Sequence, residues 1–392
     1  MTFISDIVST YVHESSVSGI KEMTMLSAKV EGAALLTWGL PSFRTPEYIR
    51  EGVKDYLDND LAAGKYTLPD GLPELRKLAA ARYKSETGIT VDADENIMIC
   101  AGNMQALNTL FHTMLDPGDE IILTDPCFAS HIQQINLFSG KSVYWPLNED
   151  NDWALDIELL PDLITDKTQA IVLVSPSNPT GKIFTRDELI QVGKIAKQHN
   201  ILIIIDDPYS DFVYENRDKY FNLASVKELK EHVIYLYSFS KSYAMGGWRL
   251  SYMVMPAEMK REAMKVHDAT MICAPRISQL AGIVALSQPS THIQEFEAIL
   301  AQRRELIYQR LANVPQVFSN KKPEGAYYVF PKIISEHINS KQFAIDLLNN
   351  AKVAVTPGSA FGPSGEHHVR MAYCVEEDVI NLAFDRIEKY FS

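Results

Sequence analysis

The chain has 392 residues, of which 46% are hydrophobic and 22% are charged, and its formal net charge is −13 at pH 7. This length suffices for a large and a smaller domain, and the acidic balance argues against nucleic acid or an anionic membrane as a partner. Residues 1–6 lack the basic start and apolar stretch of a signal peptide, and Cys100, Cys127, Cys273 and Cys374 lack metal-binding spacing, so we expect a cytoplasmic protein with reduced thiols and no metal.

Seven short apolar runs alternate with helical patterns along the chain, and each run is too short to span a membrane. The run at Arg186–His199 has the periodicity of a helix, and alternation of strand with helix is typical of a mainly parallel α/β sheet. The seven predicted strands are Asn96–Cys100, Glu120–Thr124, Lys141–Trp145, Ala170–Val174, Ile201–Ile205, Val233–Tyr237 and Leu250–Met255.

We therefore expect a mainly parallel seven-stranded sheet flanked by helices, in a large domain over residues 46–290. Residues 291–392 return to helices and short strands, and with the N-terminal segment 1–45 they should form a smaller α+β domain. No linker of low complexity separates the two. A long helix near residues 276–312 is expected to join them.

Polar side chains follow three of the predicted strands. Asn178 follows the fourth strand, Asp206 the fifth and Lys241 the sixth. In open α/β sheets ligands bind outside the carboxyl ends of the strands, where a desolvated lysine can lose its proton. A neutral lysine amine is a nucleophile towards aldehydes. The ordinary alternatives are a solvated surface lysine and a turn asparagine.

Two further features suit an anion such as a phosphate. Arg249 follows Gly246 and Gly247, which allow close backbone approach to a ligand. Gly102 follows the first predicted strand and opens a predicted helix that ends near Asp116. Free N–H groups and the helix dipole at such an N-terminus favour anions.

Five motifs in order carry a resemblance to a known family. They are Ser-Asn-Pro-Thr-Gly at 177–181, Asp-x-x-Tyr at 206–209, Ser-x-Ser-Lys at 238–241, Arg249, and Val-Arg at 369–370. With them the chain resembles the class I/II aminotransferases of the pyridoxal-phosphate fold type I (aspartate aminotransferase) superfamily over nearly its whole length. The resemblance implies that fold and pyridoxal 5'-phosphate as cofactor.

The resemblance also implies residue roles. Lys241 would form the internal aldimine and serve as general base, Asp206 would keep the ring nitrogen protonated, and Asn178 and Tyr209 would hydrogen-bond the phenolic oxygen. Phe128 would stack on the ring, its alternative role being core packing. The residues implied at the phosphate are Gly102, Asn103, Met104, Ser238, Ser240 and Arg249.

For the substrate, the resemblance assigns the α-carboxylate to Arg370, helped by Asn178 and the backbone of Gly39, with Trp38 as a wall of the side-chain pocket. Tyr66 matches a tyrosine that relatives send into the neighbouring subunit's phosphate site, which implies a homodimer with shared active sites.

Two positions bear on side-chain preference. Met104 replaces a lysine that some aspartate-using relatives carry, so an acidic substrate side chain loses that cation. Arg276 is either a reader of an acidic group or a surface arginine.

The leading functional hypothesis is an aminotransferase that moves an amino group from an amino acid to a 2-keto acid by a ping-pong mechanism. The alternative is a lyase, cyclase or oxidase of the same fold and cofactor, which would share every motif named here. A non-catalytic sensor, like the aminotransferase-like domain of some transcription regulators, is disfavoured because no basic DNA-binding module precedes Ser18. The donor, the acceptor and the pathway remain open.

Overall fold

The computed structural model of the protein describes residues 7–15, 17–334 and 339–392. The prediction about a signal peptide concerns residues 1–6, which lie outside the described residues. In the described part of the chain, none of the helices combines the length and apolar character needed to cross a bilayer. The four cysteines are buried, and none forms a disulfide with another described residue.

A large mixed sheet forms the centre of the fold. All seven predicted strands are present with ends shifted by a few residues, and a two-residue strand adds an eighth at one edge. Within the described residues, the spatial order is Ile97–Cys100, Ser251–Val254, Val233–Ser238, Leu202–Asp207, Thr168–Leu173, Glu120–Asp125, Lys141–Asn148 and Ala154–Leu155. The strands from Val233–Ser238 to Lys141–Asn148 run parallel, whereas Ser251–Val254 is antiparallel to both neighbours. The mainly parallel α/β sheet is therefore confirmed.

The two faces of this sheet pack into separate hydrophobic cores because alternate side chains of a strand point to opposite faces. Ile203 and Ile205 belong to one core, and Ile204 belongs to the other. Each central strand is buried on both faces, which explains why its sequence is continuously apolar.

Helices cover the sheet and build the rest of the chain. The predicted helix near residue 186 spans Arg186–Gln198 and begins with a capping box between Thr185 and Glu188. The other described α-helices are Thr10–Glu14, Gly19–Ser27, Glu47–Asn59, Pro73–Thr87, Ala93–Asn96, Asn103–Met114, Ala129–Leu137, Leu160–Leu163, Phe239–Ser242, Ala257–Met271, Arg276–Leu286, His292–Ala312, Ser340–Asp346 and Glu377–Phe391.

The expectation of one long helix near residues 276–312 is wrong. The chain forms two helices there, Arg276–Leu286 and His292–Ala312. Pro289 lies between them, and a proline inside a helix removes an N–H donor and clashes with the carbonyl four residues earlier.

A third core joins the two ends of the chain. Met23, Ala34 and Leu36 pack with apolar residues between Leu300 and Ile387. The small strands of this region are Ala34–Leu35 with Val353–Ala354, Phe318–Ser319 with Lys332–Ile333, and Val369–Ala372 between Tyr328–Val329 and Thr356–Pro357. The domain boundaries at residues 45 and 290 stay a prediction.

Candidate active site

A cavity of 430 Å³ lies at the carboxyl ends of the central strands. It brings together most of the residues that the sequence singled out. Those in its wall are Trp38, Gly39, Asn103, Met104, Phe128, Asn178, Asp206, Tyr209, Ser238, Ser240, Lys241, Arg249 and Arg370. The juxtaposition follows from the topology, since parallel strands present their carboxyl ends at the same edge of the sheet.

Lys241 lies in the short helix Phe239–Ser242, directly after its strand. Its Nζ atom donates a hydrogen bond to the Gly39 carbonyl oxygen at 2.5 Å. Burial lowers the pKa of Lys241 to about 8, and the positive charges of Arg370 and Arg249 act in the same direction. This lowered pKa raises the neutral fraction of the amine near neutral pH far above that of an ordinary lysine, and the neutral form is the one that a nucleophile or a base requires.

Asp206 is buried at the end of the strand Leu202–Asp207 and has a partner on each oxygen. Asn103 Nδ2 donates to its Oδ1 atom at 2.6 Å, and His131 Nε2 lies 3.0 Å from its Oδ2 atom. His131 is itself buried, and its ring meets the Phe128 ring edge-on at 5.4 Å. The carboxylate is thus held in a fixed orientation at the cavity wall.

A chain of hydrogen bonds connects four cavity residues, Arg370, Asn178, Tyr209 and Tyr328. Arg370 Nη1 donates to Asn178 Oδ1 at 3.0 Å, and Asn178 Nδ2 donates to the Tyr209 hydroxyl at 3.3 Å. The Tyr209 hydroxyl lies 2.9 Å from that of Tyr328. Burial raises the pKa of Tyr209 well above its usual range and that of Tyr328 to about 12, so both hydroxyls keep their protons.

The Arg370 guanidinium is 1% exposed but borders the cavity. Its Nη2 atom donates to the Thr37 carbonyl oxygen at 2.5 Å, and its planar face lies over the rings of Tyr328 and Phe361. Its Nε atom is buried without a hydrogen-bond partner among the described residues. The site therefore holds a rigid guanidinium with an unused donor.

The helix Asn103–Met114 begins at the cavity, and no side-chain hydrogen bond caps it. Gly102 precedes it with φ +83°, and a Cβ atom there would lie 2.3 Å from Arg249 Nη2. Only glycine fits this backbone conformation beside the guanidinium. The Ser238 hydroxyl accepts from the Ser240 N–H at 3.2 Å next to it. Free N–H groups, a cation and hydroxyls together suit an anion such as phosphate.

Gly39 permits the close packing of this wall. A Cβ atom at Gly39 would lie 1.8 Å from the Tyr328 hydroxyl oxygen. The Gly39 carbonyl oxygen accepts from Lys241 and also from the Tyr327 hydroxyl at 3.2 Å. Its neighbour Trp38 is 47% exposed and lines the cavity.

Two predicted residues lie outside the cavity wall. Gly102 lies against the Arg249 guanidinium, and Tyr66 is 78% exposed on the loop before the helix Pro73–Thr87. Arg276 is also outside, where its Nη2 atom forms an ion pair with Asp60 at 3.1 Å.

The sequence reasoning missed several residues that the fold brings to the site. They are Ser18, Ile20, Lys21, Leu40, Ser130, His131 and Tyr328. His131 lies one helical turn beyond Phe128, and this spacing could have predicted that the two side chains lie on the same face of the helix. The approach of residues 18–21 depends on tertiary folding of the N-terminal segment, for which the local sequence gives no signal.

Comparison with known proteins agrees with this geometry. The family model of class I and II aminotransferases matches residues 35–387. An aspartate aminotransferase of Pyrococcus horikoshii is 36% identical over 95% of this chain and 94% of its own, and an aromatic-amino-acid aminotransferase of Thermococcus litoralis is 34% identical over 95% of each. The solved structure of an alanine aminotransferase from Pyrococcus furiosus superposes with a TM-score of 0.91 at 31% identity, covering 98% of this chain and 99% of its own.

The match extends over almost the full length of the chain, and these relatives are all named aminotransferases although the amino acids in their names differ. The fold type I architecture and the resemblance read from the five motifs are thereby confirmed. The chain belongs to the class I and II aminotransferase family and is an aminotransferase.

Proposed function

We propose that this protein transfers the amino group of an α-amino acid to a 2-keto acid in two half-reactions, with pyridoxal 5'-phosphate held in the cavity. The observation that carries the proposal is the meeting of three groups in one cavity. These are the Lys241 amine, the Asp206 carboxylate and the Arg370 guanidinium. The three groups suit an aldehyde, a basic ring nitrogen and a substrate carboxylate respectively.

The residues present fit the cofactor. The uncapped start of the helix Asn103–Met114, together with Met104, Ser238, Ser240 and Arg249, would hold the phosphate. Asp206 would hold a protonated ring nitrogen, and the buried Asn103 Oδ1 atom, which has no partner among the described residues, is free to accept a further hydrogen bond. When bound, pyridoxal phosphate supplies an aldehyde carbon that combines with amines and a ring that takes up electrons.

Asn178, Tyr209 and Phe128 complete the cradle. The raised pKa of Tyr209 keeps its hydroxyl protonated, so it and the Asn178 amide would donate hydrogen bonds to the phenolic oxygen. Phe128 borders the cavity beside His131 and would cover one face of the ring. These three side chains would hold the ring in the cavity that the Lys241 amine also lines.

Lys241 is the proposed base. Its lowered pKa leaves neutral amine available, and this amine would remove the proton from the substrate Cα and deliver it to the cofactor carbon that derives from the aldehyde. The hydrogen bond from Nζ to the Gly39 carbonyl oxygen holds the amine at the cavity wall.

Arg370 is the proposed clamp for the α-carboxylate. Its Nη1 and Nη2 atoms are already fixed by Asn178 and Thr37, so a carboxylate meets a guanidinium that loses little entropy on binding. Gly39 and Trp38 would border the substrate beside it.

The proposal includes a homodimer. The Tyr66 side chain is 78% exposed and lies outside its own cavity, as a residue that completes a partner's phosphate site would. Replacing Tyr66 with Phe should weaken cofactor binding in a sample that stays dimeric by sedimentation. Unchanged cofactor affinity would remove Tyr66 from the site.

The test is the visible absorbance of the cofactor-loaded enzyme while single amino acids are added without a keto acid, followed by product analysis. We expect one class of donor to bleach the band and yield its keto acid and pyridoxamine phosphate in equal amounts. Release of ammonia with recovery of the original band would instead favour a lyase or an oxidase.

A further inference from the structure

Lys21 stands out among the cavity residues because the proposed cofactor and α-carboxylate contacts leave it without a role. It lies in the helix Gly19–Ser27, whose N-cap Ser18 also lines the cavity. Its ammonium is 4.7 Å from the centre of the Trp38 ring. The neighbouring Glu22 pairs with Lys341 at 2.8 Å, and no carboxylate of the described residues pairs with Lys21.

The charged side chains that line the cavity include one cation more than the proposed cofactor and substrate contacts use. Among the residues that the structure describes, four cationic side chains and one carboxylate, Asp206, line it. In the proposed function Arg249 faces the phosphate, Arg370 faces the α-carboxylate, and Lys241 is the reacting amine. The Lys21 cation therefore has no anion assigned to it.

The backbone of residues 37–39 connects this cation to the reacting groups. The Thr37 carbonyl binds Arg370, and the Gly39 carbonyl binds Lys241. The Trp38 side chain between them carries the Lys21 ammonium over its ring. A substrate held by Arg370 and approached by Lys241 would extend its side chain along the wall that Trp38 forms.

The ring of Trp38 suits a cation that must stay available to a ligand. An ammonium over an aromatic face gains attraction from the ring while its other N–H groups remain free to donate. Lys21 is exposed, so its charge stays hydrated and accessible at the cavity.

Met104 strengthens the case. It lines the cavity but brings no charge there, and its sulfur and carbonyl oxygen are contacted by Gln134. A distal carboxylate would therefore find its cation on the N-terminal helix and not at the start of the helix Asn103–Met114.

We infer that Lys21 binds the distal carboxylate of an acidic substrate, that is, a dicarboxylic amino acid or the corresponding 2-keto dicarboxylic acid. This inference rests on the proposed function of the cavity. Apolar wall residues such as Leu40 and Phe128 leave room for uncharged side chains as well, so Lys21 would set preference among substrates without taking part in the proton transfers.

The first experiment compares single-turnover kcat/KM of the loaded enzyme for glutamate and glutamine, which differ mainly in the distal charge. Lys21→Met removes the charge and keeps the stem, and Lys21→Arg restores a cation. Lys29→Met is the matched control, since Lys29 is exposed on the same segment and does not line the cavity. We expect Lys21→Met to reduce the glutamate-to-glutamine ratio about 10- to 100-fold, the loss typical of a charged hydrogen bond. Lys21→Arg should recover most of it, and Lys29→Met should leave the ratio unchanged.

The second experiment measures binding of glutarate and of butyrate to the loaded enzyme by calorimetry, without any reaction. Glutarate should lose about 10-fold or more in affinity in Lys21→Met, and butyrate far less. An unchanged glutamate-to-glutamine ratio with an unchanged glutarate affinity would overturn the role of Lys21 while leaving the aminotransferase intact. Failure of every amino acid to react would instead overturn the proposed function. The calorimetry would still decide whether Lys21 binds a second carboxylate.

Discussion

Asp206 and Asp207 are consecutive residues of one strand, yet their side chains belong to different parts of the molecule. Successive side chains of a strand point to opposite faces of the sheet. Asp206 lies at the cavity with Asn103 and His131. Asp207 lies on the other face, 1% exposed, and borders no part of the cavity.

The two carboxylates also differ in what surrounds them. The Asp207 carboxylate accepts hydrogen bonds from the hydroxyls of Tyr220 and Tyr235 at 2.9 and 2.8 Å and from the Ser210 N–H at 3.0 Å. Burial raises the pKa of Asp207 to about 6. Asp207 therefore serves the packing of the strand, whereas Asp206 keeps a side open to a ligand. Residue type and position at a strand end do not separate these roles, but the face of the sheet does.

The largest expected effect is that of Asp206→Ala on turnover. Removing one partner of a buried charge pair costs about 3–5 kcal/mol, which corresponds to two to four orders of magnitude in rate. The measurement is the single-turnover rate of the cofactor-loaded variant with a donor that the wild type uses. Its urea midpoint should move less than that of the Asp207 variant. A rate near that of the wild type would remove Asp206 from the reaction.

Asp207→Ala should show the opposite pattern. It leaves two buried tyrosine hydroxyls and one backbone N–H without their acceptor, and each unsatisfied group costs about 1–3 kcal/mol. We expect the free energy of unfolding to fall by roughly 3–5 kcal/mol in urea titrations, a large single-site effect. The folded fraction should still bind the cofactor with its normal absorbance. Unchanged stability would mean that Asp207 does not have the structural role that distinguishes it from Asp206.

Two arginines allow the same comparison between a cavity residue and a residue outside the cavity, with a smaller expected effect. Arg370→Lys keeps the charge in the cavity but loses the planar pair of donors, so amino-acid substrates should bind about 10- to 100-fold more weakly. Arg310→Lys is the control, because Arg310 pairs with Asp385 and Glu388 away from the cavity. The apparent dissociation constant in the half-reaction is the readout. Equal affinity in wild type and Arg370→Lys would refute the clamp.

The sequence predicted the Asp206 face of the sheet far better than the Asp207 face. Apolar runs located the strands, and the residues after them, Asn178, Asp206 and Lys241, do meet in one cavity because parallel strands end at one edge. Nothing local indicated that Tyr220 would bond to Asp207, because the two come from different elements. Such partners depend on tertiary packing.

Two misses have different causes. Pro289 was visible in the sequence, and its helix-breaking effect should have divided the predicted helix near residues 276–312. The approach of Lys21 to Trp38 could not be read in this way, because it requires the N-terminal segment to fold over the carboxyl ends of the strands. Contacts between distant segments were the part of the site that sequence patterns left undetermined.

The smallest expected effect concerns pH and lies on the Asp207 face. Burial raises the pKa of Glu86 to about 7, and Glu86 pairs with Arg82 at 2.7 Å near Asp207. A carboxyl whose pKa is higher in the folded chain than in the unfolded chain binds its proton more tightly when folded. Its stabilising contribution is therefore complete at low pH and is lost as the pH rises through about 7.

Glu86→Gln cannot titrate, so it should reduce the loss of unfolding free energy between pH 5 and pH 8 by about 1–2 kcal/mol relative to wild type. Glu258→Gln makes the same change at an exposed site, where Glu258 pairs only loosely with Arg261 at 3.5 Å, and should leave the pH profile parallel to that of the wild type. Urea titrations at both pH values give the comparison. A profile of Glu86→Gln parallel to wild type would mean that Glu86, whose side chain is 28% exposed beside Arg82, does not hold an extra proton in the folded state. The contrast between Asp207 and Asp206 would then rest on their hydrogen bonds alone.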